Sequence, residues 1–192
     1  MPIPFRDRRT DDVPPDIAAA LSAQSAQSAQ SAQSEVDGGR VLSAAPDADS
    51  GAWLVAGRFA LTLVDPGRPE PVVWSRPWHE VDAGSWSRET SQLTVTWVDR
   101  SRPGQWRLGD GQRERTFLQT LRERVTASVV LAEELALSGR RTGRAVIRQD
   151  LRTGGLVEQV VLARGVQADE EVSAASARAL DWLREQVGMP RA

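Results

Sequence analysis

The sequence predicts an α+β protein: a β-barrel of about seven strands capped by one helix, followed by a β-hairpin and a C-terminal helix. Three observations predict it. Six of the seven tryptophans fall between Trp53 and Trp106, in a stretch of short segments with alternating polarity broken by turn residues. One amphipathic segment then carries apolar residues at helical spacing. Last come two extended runs around Thr153-Gly154-Gly155 and a second helical pattern.

The 192 residues, 40% apolar and 26% charged, suit one sizeable domain with extensions. All 24 basic residues are arginine, and there is no Lys, Asn, Tyr or Cys. Lost residue types with AT-rich codons point to a high-GC genome rather than to arginine chemistry. Without cysteine there is no disulfide, thiolate metal site or thiol nucleophile. Without lysine there is no Walker loop, Schiff base or lysine base. No apolar run approaches the roughly 18 residues that span a bilayer. The N-terminus lacks the apolar centre of a signal peptide, so a cytoplasmic protein is expected.

Residues 1–38 are expected to be a disordered arm. Within it Asp16–Leu21 forms one helical turn, and the Ser-Ala-Gln triplets of Ser22–Ser34 form a flexible insertion, because period three gathers no apolar face. Residues 39–138 are the expected barrel. Arg40–Ala45 and Ala52–Ala56 are short strands, and Phe59–Val64 alternates with one greasier face. Asp65-Pro66-Gly67 turns the chain. Val72–Ser75 is an irregular or edge strand broken at Pro77, and His79–Trp86 supplies another pair of short extended pieces. Gln92–Val98 is the clearest strand, with Leu93, Val95 and Trp97 on one face; Gln105–Leu108 is the last. A capping box at Thr116–Gln119 opens the helix, unless Glu114 starts it earlier. Phe117, Leu121, Val125, Ser128, Ala132 and Leu135 form its buried stripe, and Gly139 stops it. In residues 139–192, Arg144–Leu151 and Leu156–Ala163 make the hairpin. Asp169 then caps a helix to Val187 that Gly188 and Pro190 end.

Arg40-Val41-Leu42, Trp53–Ala56 and Phe59–Val64, with a small residue and an arginine at the Gly57-Arg58 bend, resemble the opening of bacterial pleckstrin-homology-like (PH-like) domains. Pro77–Val81 resembles the corner of such barrels, and Leu93–Trp97 with the Phe117/Leu121 helix completes their order of about seven strands and a helix. The whole chain is similar to an uncharacterised group of actinobacterial proteins with this domain and a trailing hairpin and helix. The resemblance implies binding of phospholipid head groups, peptides or proteins rather than catalysis, and leaves the choice open.

The residue chemistry leads the same way. His79 is the only histidine, so a two-histidine metal site is excluded. As a general base it would need a Ser or carboxylate in a deep pocket, and no Gly-x-Ser-x-Gly elbow accompanies it; the plainer reading is a half-exposed corner residue. Glu133-Glu134 and Glu170-Glu171 are expected on helices, where sequence neighbours do not share a face. Trp97 and Trp106 are expected in the core, whereas Trp74, Trp78 and Trp86 are either core or a ligand-stacking face.

Seven arginines against three acids lie between Arg100 and Arg124, and five against one between Arg140 and Arg152. In the second cluster Arg144, Arg148 and Arg152 share alternation parity and form a candidate phosphate-binding stripe, the alternative being a solvated surface. The resulting expectation is a non-catalytic cytoplasmic adaptor with no cofactor, binding a protein or an anionic, phosphate-bearing partner through that stripe or the Trp74-Trp78-Trp86 face. Its rivals are a nucleic-acid binder, for which the arginine clusters must merge into one face and against which the net charge of −2 speaks, and an enzyme built on His79. The tail hairpin also offers a surface for a homodimer.

Overall fold

The computed structural model describes residues 13–30 and 40–190, with residues 23–30 as backbone alone. The described chain is α+β, with three antiparallel sheets. The first is a meander in the order β1 (Val41–Pro46), β2 (Trp53–Gly57), β3 (Ala60–Val64) and β4 (Val72–Pro77). A 3₁₀ turn over Trp78–Glu80 leads into the second, β5 (Val81–Ser87), β6 (Gln92–Trp97) and β7 (Gly104–Arg107). Helix α2 (Gln112–Ser128) follows. The third sheet contains β8 (Val129–Glu134), β9 (Gly143–Gln149) and β10 (Leu156–Leu162) in the order β10-β9-β8, and α3 (Glu170–Val187) ends the fold.

Seven strands precede α2, but they form two sheets that no continuous ladder closes into a barrel. At the Pro77 corner the chain leaves the first sheet for a single turn, and Pro77 has no N–H to carry pairing onward. Elsewhere the two sheets meet where Ala48 donates its N–H to Arg107 O at 2.8 Å and Arg107 donates its own to Asp47 Oδ1 at 2.9 Å. Between the sheets lies the main core: Leu54, Leu61, Trp78, Val81, Leu93, Val95, Trp97 and Leu108, with Phe117 and Leu121 inserted from α2. Phe117 is fully buried. The segment expected to plug the strands therefore does so. Gly84 makes this possible, since a Cβ there would sit 2.9 Å from Leu121 Cδ2.

Several expectations need correction. Helix α2 starts at Gln112 behind Gly111, with no side-chain cap, so Thr116 is interior and its hydroxyl donates back to Gln112 O at 2.9 Å. The helix also ends at Ser128, eleven positions before the expected stop at Gly139. Val129–Glu134 is a strand: β-branched Val129 and Val130 favour it, and pairing such as Leu131 with Ile147 satisfies the backbone along β9. The three- and four-residue spacing of Ala132 and Leu135 is thus not a helix face. Leu135 joins a second core, formed by Ala145 and Ile147 with Ala175, Ala179 and Leu183 of α3. Glu133 and Glu134 consequently lie on a strand, on opposite faces.

At the other end, α1 spans Pro15–Gln30 and takes in the repeat from Ser22 to Gln30, which the sequence reading assigned to a flexible insertion. Alanine and glutamine are strong helix formers, and Pro15 suits a first helical turn, so propensity carries the helix where periodicity offers nothing. Its anchor is Ile17, fully buried with Ala44, Val55 and Val64 on the outer face of the first sheet. The disorder expected for residues 1–12 and 31–38 lies outside the described residues. At α3 the expectation holds: Asp169 Oδ1 accepts the Val172 N–H at 2.9 Å, and Gly188 ends the helix with φ of 71°. No helix among the described residues is long and apolar enough to cross a membrane.

Candidate functional site

The arginines of β9 do not project into solvent as a stripe. Alternation puts Arg144 and Arg148 on one face of β9, and that face meets the start of β5. Arg148 is 1% exposed. Its Nη1 donates to Ser128 Oγ at 2.9 Å and its Nη2 to the Asp82 carbonyl at 3.2 Å, while Nε is buried with no hydrogen-bond partner among the described residues. Burial pushes the Arg148 guanidinium below its ordinary pKa; Asp82 opposes this and neighbouring Arg144 adds to it. Arg144 forms an ion pair with the Asp82 carboxylate. Two guanidinium groups therefore share one carboxylate, whose nearer oxygen is 3.9 Å from Arg148. Arg152 stands apart, exposed in the β9–β10 turn that the Asp150 carboxylate organises by accepting the Arg152 N–H and the Thr153 hydroxyl.

The three tryptophans are also separated. Trp78 is fully buried, donating its indole N–H to Gly57 O at 3.1 Å. Trp74 packs edge-on against Trp97 and tilted against Trp106, at ring distances of 5.4 and 6.0 Å. Trp86 lines a surface groove between β5 and the helix that follows the second sheet. Arg76 sits over the Trp97 ring at 4.5 Å and pairs with Asp99, so the cation–π contact is internal.

His79 is half-buried in the corner turn. Its carbonyl accepts the Gln159 amide at 2.8 Å, and its Nδ1 is buried with no hydrogen-bond partner among the described residues. Burial raises the nearby Asp150 carboxyl, but the Arg152 N–H, the Thr153 hydroxyl and neighbouring His79 and Arg152 outweigh it and hold it below its ordinary value. His79 lines none of the three cavities described below. Among the described residues no group of three or more His, Cys, Asp or Glu side chains is placed to hold a metal ion.

The other arginines disperse. Arg107 pairs with Asp49; Arg141 pairs with Asp169 and Glu171; Arg113 lies over Trp53 at 5.5 Å. The two sequence clusters meet where Arg100 and Arg102 of the β6–β7 turn face Arg144 of β9, with Arg164 from the turn after β10, across a cleft of about 790 Å³. Asp82, Glu134, Trp97 and Gln105 complete the part of its wall that bears on chemistry.

Two further cavities exist. A polar one of about 560 Å³ lies between β1 and α2, lined by Ser43, Arg113 and Thr120. An apolar groove of about 440 Å³ runs between β5 and α2, lined by Trp86, Leu93, Leu118, Leu121 and Val125. Strand β5 forms the edge of its sheet, pairing with β6 alone, and Ala83, Gly84 and Ser85 are exposed along it. The residues that shape these sites, Asp82, Arg102, Leu118 and Arg164, were not singled out by sequence reasoning. The one available signal was the small-residue run Ala83-Gly84-Ser85, which in a strand marks an edge or a close approach. Comparison with known protein families, with curated proteins and with solved structures gives no match to this chain.

Proposed function

We propose that this chain is a non-catalytic cytoplasmic interaction module of PH-like architecture, and that it holds an extended peptide segment of a partner protein along β5. The architecture is supported by the order of four strands, three strands and a helix, and by the burial of Phe117 and Leu121 between the sheets. The binding reading is carried by one observation: the apolar groove between α2 and the unpaired edge of β5. A strand edge presents unpaired N–H and C=O groups that an added strand satisfies, while an adjoining apolar groove accepts alternate side chains of the guest. Trp86, Leu118 and Val125 supply contact area, and the glycine and alanine of β5 leave its backbone accessible.

The test is selection of peptides from a random library against the full chain, followed by binding measurements on Leu118→Arg. Selected peptides are expected to carry apolar residues at alternate positions and to lose at least tenfold in affinity to the variant, with its thermal melting still cooperative. Peptides that bind wild type and variant equally would refute the reading.

A further inference from the structure

The cleft between the β6–β7 turn and the third sheet meets the peptide groove at Asp82 but has a different chemical character. Four arginines line it against two carboxylates, those of Asp82 and Glu134. Asp82 is already engaged by Arg144, with Arg148 immediately behind it. Glu134 stands opposite Arg144 in the β8–β9 register. The remaining three guanidinium groups have no carboxylate of their own among the described residues. Arg100 donates to the Val166 carbonyl at 3.2 Å, which anchors it without neutralising it. Arg102 and Arg164 are exposed and make no hydrogen bond or ion pair within the described residues.

Charges of one sign converging from two separate elements on a concave wall repel one another unless an anion sits between them. Folding alone gives no reason for the arrangement: elsewhere in this chain arginines such as Arg141 and Arg184 are matched to carboxylates, Arg184 holding Glu158 through two nitrogens. A guanidinium fork is planar, permanently charged and matched to the oxygens of a phosphate group.

We propose that this cleft is a binding site for a multiply charged phosphate compound, held by Arg100, Arg102 and Arg164, with Arg144 and Asp82 as its floor. Part of the wall comes from the third sheet, so the site exists only where that sheet is docked on the first two. A volume of about 790 Å³ admits a small molecule or a lipid head group rather than a duplex.

The test is calorimetric titration of the full chain with inorganic pyrophosphate at low and moderate salt. Parallel co-sedimentation uses phosphatidylcholine vesicles with and without a phosphoinositide carrying two ring phosphates. Binding of pyrophosphate, of the phosphoinositide vesicles, or of both is expected. It should fall at least tenfold in Arg102→Ala/Arg164→Ala and stay unchanged in the control Arg115→Ala/Arg178→Ala, whose side chains are exposed elsewhere. Soluble binding alone identifies a free phosphate compound, and vesicle binding alone identifies a lipid head group. No binding of either probe, equal loss in the control, or tighter binding of citrate than of pyrophosphate would overturn the proposal. None of these variants lines the peptide groove, so failure here leaves the peptide reading standing.

Discussion

Replacing Arg148 by alanine is expected to destabilise the protein by about 3–5 kcal/mol, the range for removing one partner from a buried charged network. The figure follows from what the side chain touches. Its two guanidinium nitrogens satisfy Ser128 Oγ and the Asp82 carbonyl, and each buried acceptor left unpaired costs about 1–3 kcal/mol. The stem is fully buried, so truncation also leaves a cavity. Arg148→Met separates these effects. It keeps most of the volume and removes the desolvated charge, leaving about 0–2 kcal/mol of loss, because relief of the charge offsets part of the lost hydrogen bonding. Arg144→Ala, whose side chain is 36% exposed, should cost about 1 kcal/mol or less. Urea unfolding followed by tryptophan fluorescence reads all three: with a slope of about 1–3 kcal/mol per molar, the alanine variant at 148 moves the midpoint down by 1 M or more. An Arg148→Ala midpoint indistinguishable from wild type, or a methionine variant as damaged as the alanine one, would refute the assignment of Arg148 to the packed junction between β5, α2 and β9.

Gly104→Ala should be disproportionately harmful for one methyl group. Its Cβ would stand 2.0 Å from Trp106 Cη2 and within 2.8 Å of two more ring atoms, so the indole must swing away from Trp74. A loss of about 2–4 kcal/mol with a red-shifted emission is expected, from overpacking and the broken aromatic pair; unchanged emission contradicts this. Acid should fray α3 first. The Val172 N–H and Arg141 hold the Asp169 carboxyl below its ordinary value of 3.8. Its contribution is therefore complete above that value and disappears as pH falls through the lower folded one. Amide exchange at Val172 and Ser173 should accelerate in that acidic window in wild type, whereas Asp169→Asn should be nearly flat across it.

What the sequence made legible follows from which signals are local. Strict alternation in Leu93, Val95 and Trp97, the turn at Asp65-Pro66-Gly67 and the Asp169 cap each belong to a few neighbouring residues, and each element stands where expected. The end of α2 was not legible, because Val125, Ser128, Ala132 and Leu135 continue the helical spacing by coincidence. What ends the helix is the pairing of β8 with β9, a contact between segments far apart in sequence. The site suffered the same way. Parity correctly put Arg144 and Arg148 on one face of β9, but whether that face meets water or Asp82 depends on docking of the third sheet. Arg102 and Arg164 lie 62 positions apart and share a cleft only in the folded chain.

The edge of β5 is the proposed seat of the partner segment. Amide hydrogen exchange of the full chain, with and without a selected peptide, measures this directly. Slower exchange confined to Ala83–Ser87 and to the Leu118–Val125 stretch of α2 is predicted. Protection that leaves those segments untouched and falls instead on α3 or on the β3–β4 turn would contradict it.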